Sequence, residues 1–371
     1  MKAIISGGGT GGHIFPAIAI ANAIKKRYPE AEILFVGAEG RMEMEKVPAA
    51  GYRIEGLPIA GLQRKLTPAN IARNLMLPFK MMRSRHKVKA ILKEFNPDIV
   101  VGVGGFASEP TLKAAEAMGF PTLLQEQNSY AGLTNKMLAK GARKICVAYE
   151  GMDRFFPAEK IVMTGNPVRE TIEKMNVEKE EALRHFDLDG NIKTILSVGG
   201  SLGARSINNM IKDNLPLFKE NNMQIIWQTG KWMYEEAKQS VEQAGVGKWV
   251  KVHQFISRMD MAYTVADAVI SRAGAIAISE LCLVGKPTIL IPSPNVAEDH
   301  QTKNAMALAE KGAAIMVRDN ECHDKGIPSV IELLGDTAKQ AEMSKNIMAM
   351  AKPQAAESIV NEIDKIINNE R

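Results

Sequence analysis

The chain has 371 residues, 46% of them hydrophobic and 24% charged. That balance excludes disordered and fibrous classes, and the length suits about two domains. The net charge of +5 is uneven: residues 1–165 carry 23 Lys and Arg against 14 Asp and Glu, and the remainder carries 24 against 28. A basic first half points to nucleic acid or an anionic membrane as partner. Yet no apolar run approaches the roughly 18 residues of a membrane span. Cys146, Cys282 and Cys322 are far apart and odd in number, which excludes a disulfide framework and a CxxC metal knuckle. The N-terminal segment reaches glycine too soon for a secretory signal, so a reducing cytoplasm is the expected compartment.

Short apolar, β-branched runs alternate with helical patterns. Lys2–Ser6, Glu32–Gly37, Tyr52–Leu57, Asp98–Val103, Thr122–Gln125, Lys144–Ala148 and Lys160–Met163 read as strands, with helices such as Phe15–Tyr28 and Ser108–Met118 between them. The pattern restarts with Lys193–Val198, Gln224–Gln228, Val250–His253, Ala268–Ser271 and Thr288–Ile291. Repeated βα units predict an α/β protein of two doubly wound, Rossmann-like domains. The expected boundaries are 1–164, 165–345 and a helical tail, 346–371, able to return to the first domain. Ligands are expected in a cleft at the carboxyl ends of the strands.

Three glycine-rich turns follow strands: Gly7–His13, Gly102–Phe106 and Gly199–Arg205. Glycine lets the backbone approach a ligand, and the helix that follows offers unpaired N–H groups to an anion. Three such turns favour diphosphate ligands. Gly7, Gly9 and Gly12, with Glu39 beyond the second strand, also fit the dinucleotide fingerprint, so a NAD-dependent dehydrogenase is an alternative. In Ser271–Glu280, Arg272 precedes a helix start and could meet a phosphate, while Glu280 could accept both hydroxyls of a ribose. Gln301 could read a sugar's hydroxyls. Asp187-Leu188-Asp189 reads as a solvated loop, and no bound metal or cofactor is expected.

Several motifs occur together and in order: GGGTGGHIFPA, QEQNSYAGLTNK (125–136), GNPVR (165–169), GGSLGARSIN (199–208) and SRAGAIAISE (271–280). By these the chain resembles the bacterial MurG family of glycosyltransferase B-type enzymes. The resemblance implies transfer of N-acetylglucosamine from UDP-N-acetylglucosamine to lipid I, the polyprenyl-diphosphate muramoyl-pentapeptide, to give lipid II. Peptidoglycan synthesis, cell shape and cell division are the implied context. Thr10, Gly11, Gly12 and Asn128 would lie beside the N-acetylglucosamine. Arg169 and Ser201 would face the diphosphate, and Ile256 would border the uracil. Arg272 and the turn ending at Ala275 would hold phosphates, with Glu280 on the ribose and Gln301 on the sugar. Gly104, Gly105 and Phe106 would face the acceptor's diphosphate. Glu109 departs from the small residue expected beside them, since a carboxylate there would repel that diphosphate unless it points away.

Inverting transfer needs fixed donors for the leaving diphosphate and a base for the muramoyl 4-hydroxyl. His13 is the first candidate base and Glu126 the second. Residues 64–93 contain Arg64, Lys65, Arg73, Lys80, Arg83, Arg85, Lys87, Lys89 and Lys93 but no acid. Ile71, Leu75, Phe79 and Met82 share one helical face, beside a basic one, with Pro78 expected to bend or divide the helix. That pattern suits an anionic bilayer, hence a peripheral place on the cytoplasmic face of the inner membrane. With one aromatic, Phe79, the stretch lacks a stacking platform for nucleic acid. A UDP-sugar epimerase and a non-catalytic sugar-nucleotide sensor are further alternatives.

Overall fold

A computed structural model describes residues 1–59, 75–200 and 202–370. Ser201 and residues 64–74 of the basic stretch therefore lie outside the described residues. The chain divides into two units. The first is Met1–Arg169 with Lys352–Arg371, and the second is Glu170–Ala351. The boundaries read from sequence were 164/165 and 345/346.

Unit 1 runs β1 (Lys2–Ser6), α1 (Gly11–Arg27), β2 (Glu32–Ala38), α2 (Glu43–Ala49), β3 (Arg53–Leu57), α3 (Leu77–Phe95), β4 (Ile99–Gly102), α4 (Ser108–Ala117), β5 (Thr122–Glu126), α5 (Leu133–Leu138), β6 (Lys144–Val147) and β7 (Ile161–Met163). The sheet is parallel, in the order β3-β2-β1-β4-β5-β6-β7. Ala3 stands between Ile33 of β2 and Ile99 of β4. Successive strand residues face opposite sides. Ile5 therefore joins a core with Ile14, Ile20 and Ile24 of α1. Ile4 joins a second core with Val88 and Leu92 of α3. Burial on both faces is why these strands read as continuous apolar runs. Pro78 sits in the first turn of α3, where no intrahelical N–H bond is lost.

Unit 2 runs α6 (Glu170–Glu173), α7 (Lys179–Phe186), β8 (Lys193–Val198), α8 (Arg205–Asp213), α9 (Leu215–Glu220), β9 (Met223–Gln228), α10 (Tyr234–Ala244), β10 (Val250–His253) and α11 (Met259–Val265). It continues through β11 (Ala268–Ser271), α12 (Ala275–Val284), β12 (Thr288–Leu290), α13 (His300–Ala309), β13 (Ile315–Met316), α14 (Cys322–Gly335) and α15 (Thr337–Ala349). Its parallel sheet has the order β10-β9-β8-β11-β12-β13. The edge strand β13, only two residues long, has no pattern in the sequence.

The chain then returns to unit 1 as α16 (Ala355–Glu370). Ile359, Val360 and Ile363 are fully buried against the α1 side of the first sheet. Each such side chain contributes about 1.5–3 kcal/mol. Asp364 accepts hydrogen bonds from Arg27 at 2.8 Å and from the Tyr28 hydroxyl at 2.9 Å, which fixes the helix in register.

Candidate active site

In unit 1 the first two glycine turns interlock at the carboxyl ends of β1 and β4. Gly105 has φ +83°, and a Cβ there would lie 2.3 Å from the Gly8 carbonyl oxygen, so only glycine fits. His13, in the first turn of α1, bridges the two turns. Its Nδ1 is 3.1 Å from the Gly8 oxygen, closer than the 3.4 Å to Thr10 Oγ1. A carbonyl oxygen only accepts, so the Gly8 contact is a hydrogen bond when the ring proton is on Nδ1. Nε2 lies beside Gly104, where a Cβ would stand 3.0 Å from it. Thr10 is exposed as the N-cap residue of α1. The helix has no side-chain cap and no acidic residue in its first turn, which Gly11 and Gly12 open.

A residue the sequence did not single out completes this region. Glu43, at the start of α2, accepts from Gly9 N–H at 3.0 Å and Ala38 N–H at 3.1 Å. It comes from 34 residues along the chain, so no local motif announces it. One N–H of the fingerprint turn is thus already taken by a carboxylate. Glu39, the acid of that fingerprint, is largely exposed and lies 3.9 Å from Lys87.

Glu126 needs a correction as a candidate base. It is 1% exposed, and both oxygens serve its own loop. Oε1 accepts from Asn128 N–H at 3.0 Å and from Asn128 Nδ2 at 3.2 Å. Oε2 accepts from Gly132 N–H at 3.0 Å and Asn135 Nδ2 at 2.9 Å. The carboxylate shapes the 127–135 loop and places Asn128. Glu109 is buried and pairs with Arg85 of α3; its other oxygen has no hydrogen-bond partner among the described residues. The charge that would repel an anion at Gly104–Phe106 is therefore turned toward α3 and compensated. Phe106 stacks under Arg41, 5.8 Å from the ring centre. Arg169 is exposed at the end of unit 1.

In unit 2 one buried amide links two expected ligand contacts. Gln228 Nε2 donates to the Gly200 carbonyl at 3.0 Å, and its Oε1 accepts from Ile256 N–H at 2.9 Å. The third glycine turn and buried Ile256 are thus tied to the same side chain. Arg272 is less available than its sequence position suggests. Its Nη1 donates to Asp319 at 2.5 Å and to the Ile291 carbonyl at 2.9 Å. Its Nη2 donates to Ser206 Oγ at 2.8 Å, and Ser206 donates on to Asp319 at 2.5 Å. The guanidinium therefore ties β11, α8 and the segment before α14 together, which qualifies its reading as a phosphate clamp. Asp319 and Ser206 escaped the sequence reading because they lie 47 and 66 residues from Arg272.

Helix α12 begins at Ala275 with no side-chain cap and no acid in its first turn. Its leading N–H groups suit an anion. Glu280 is buried, with the Tyr263 hydroxyl 3.4 Å from Oε2. Gln301 Oε1 accepts from Ser293 N–H at 2.8 Å. Asp187 and Asp189 form a turn: Lys251 donates to Asp187 at 2.6 Å and holds its carboxyl below the usual range, and Asp189 accepts from Asn191 N–H at 2.9 Å. Among the described residues, no group of three or more His, Cys, Asp or Glu could hold a metal ion.

Residues 3–147 match the glycosyltransferase family 28 N-terminal domain, and residues 194–359 match its C-terminal domain. A protein of Parabacteroides distasonis is 56% identical, over 99% of this chain and 98% of its own length. One of Cytophaga hutchinsonii is 55% identical, over 100% and 98%. Both bear the name UDP-N-acetylglucosamine–N-acetylmuramyl-(pentapeptide) pyrophosphoryl-undecaprenol N-acetylglucosamine transferase. The crystal structure of Acinetobacter baumannii MurG superposes with a TM-score of 0.79 at 27% identity, covering 98% of this chain and 99% of that one. A UDP-GlcNAc 2-epimerase of Neisseria meningitidis, at 15% identity, TM-score 0.68 and coverage of 98% and 100%, shares the fold alone.

Proposed function

The chain belongs to the MurG family within glycosyltransferase family 28, and from that premise we propose that it moves N-acetylglucosamine from UDP-N-acetylglucosamine to the muramoyl 4-hydroxyl of lipid I. The products are lipid II and UDP, the disaccharide lipid and the spent donor of peptidoglycan synthesis. The observation that carries this reading is identity of 54–56% along essentially the whole chain to transferases so named.

The donor belongs to unit 2. The third glycine turn with Ser201 and the N-terminus of α12 at Ala275 supply positive potential to the diphosphate, where charge grows as UDP leaves. Arg272 sets the shape of that region through Asp319 and Ser206 and offers its remaining donors. Ile256 borders the uracil, Glu280 takes the ribose and Gln301 the sugar. The acceptor belongs to unit 1. Gly104, Gly105 and Phe106 face its diphosphate, while Thr10, Gly11, Gly12 and Asn128 lie by the transferred sugar. His13 Nε2 takes the 4-hydroxyl proton as the oxygen bonds to the anomeric carbon and the bond to the UDP oxygen breaks.

The enzyme acts as a peripheral protein on the cytoplasmic face of the inner membrane. On α3 the core face is Ser84, Val88 and Leu92, whereas Phe79 is 62% and Met82 71% exposed. Lys80 and Arg83 lie beside them. An exposed apolar stripe flanked by cations suits an anionic bilayer. No described helix is long and apolar enough to cross a membrane. Vesicles with anionic lipid should bind the protein better than neutral ones at low salt, and equal binding would remove this surface from the account.

The function is tested by UDP release from UDP-N-acetylglucosamine with and without a short-chain lipid I analogue. Release that depends on the acceptor is expected. Release without acceptor would indicate an epimerase or hydrolase, and binding without release would indicate a sensor.

A further inference from the structure

Gly9 N–H and the Gly8 carbonyl belong to one peptide group. Its N–H donates to Glu43 Oε2 at 3.0 Å, and its carbonyl accepts from His13 Nδ1 at 3.1 Å. Glu43 is 1% exposed and fixed at its other oxygen by Ala38 N–H, 3.1 Å away. The slot is built for it. A Cβ on Gly8 would stand 2.2 Å from Glu43 Oε1, and one on Gly37 would stand 2.6 Å from Glu43 Cγ. Carboxylate, peptide and imidazole thus form a single hydrogen-bonded line.

We propose that Glu43 is a positioning residue for His13 that acts through the Gly8–Gly9 peptide. The buried carboxylate orients this peptide and polarises it, so its carbonyl becomes a stronger acceptor. That bond keeps the ring proton on Nδ1 and leaves the Nε2 lone pair for the incoming hydroxyl proton. When Nε2 takes the proton, the imidazolium's charge faces the carbonyl and the carboxylate behind it. The proton then leaves to solvent, and the ring returns to its starting tautomer. The inference rests on the reading of His13 as the base.

The test is nitrogen NMR of histidine-labelled protein, with the His13 signals assigned by their loss in His13→Gln. In the unaltered protein the neutral ring should carry its proton on Nδ1. Glu43→Gln should lower the Nδ1-protonated fraction. It should also reduce kcat by about tenfold or more, short of the roughly 10⁴-fold loss seen where a carboxylate bonds the histidine directly. KM for UDP-N-acetylglucosamine should stay unchanged. A proton on Nε2 in the unaltered protein would overturn the proposal, and this measurement needs no variant of Glu43 to fold. So would a Glu43→Gln variant with unchanged tautomer and kcat. A shifted tautomer in Glu43→Gln beside a nearly normal rate in His13→Ala would leave the relay standing and remove His13 as base.

Discussion

The glycine turn after β1 and the turn before α12 each join a parallel strand to a helix. In the first, Glu43 from α2 occupies Gly9 N–H, and the same peptide holds His13. In the second, Arg272 is held by Asp319 and Ser206, while α12 begins with neither a side-chain cap nor an acidic first turn. One turn has taken an internal anion and holds the ring proposed as the base. Helix α1 shares that uncapped, acid-free start, so the difference lies in the turn backbone, where Gly9 N–H already has an internal acceptor. A glycine motif by itself therefore states only that backbone is brought close to something. What that something is depends on residues dozens of positions away.

The largest effect that could break this contrast is at His13. His13→Ala should lower kcat by about 10²–10⁴-fold at saturating substrates, measured by UDP release. A loss below about fivefold would mean that the first turn shapes no base. Next, Asp319→Asn should weaken the hold on Arg272. The expected cost is about 1–3 kcal/mol in urea unfolding, with weaker UDP binding in calorimetry. Unchanged UDP affinity would detach the Arg272 network from the donor region. Arg85→Met leaves Glu109 buried without its partner beside the acceptor turn. It should raise KM for the lipid I analogue severalfold and leave KM for UDP-N-acetylglucosamine alone, in steady-state assays varying each substrate. The smallest effect serves as a reporter. Burial pushes the thiols of Cys146 in unit 1 and Cys282 in unit 2 up to about 12. Both should resist alkylation at pH 8 in the folded protein. The cysteine first modified in a variant, read by peptide mass, shows which unit has loosened.

Much of the fold was legible because parallel strands buried on both faces must be apolar throughout. Lys2–Ser6, Lys193–Val198, Val250–His253 and Ala268–Ser271 carry the same bounds in the sequence reading and in the structure. The two-residue β13 was not legible, since a strand that short needs no pattern of its own. The site divides similarly. Gly105 and the start of α12 follow from local chain chemistry. The use of Glu126 by Asn128, Gly132 and Asn135 was less visible, because a loop's carboxylate and a base look alike in sequence. The partners Glu43, Asp319 and Gln228 reach their targets across 28 to 47 residues, and such hydrogen bonds leave no periodic trace.

The difference between the two turns is tested most directly by titrating UDP into nitrogen-labelled protein and following backbone amides. The amide of Ala275 should shift as UDP binds, while Gly9 N–H, already bonded to Glu43, should stay in place. A shift at Gly9 with Ala275 unmoved would contradict the account, because the first turn would then be the one that receives the diphosphate.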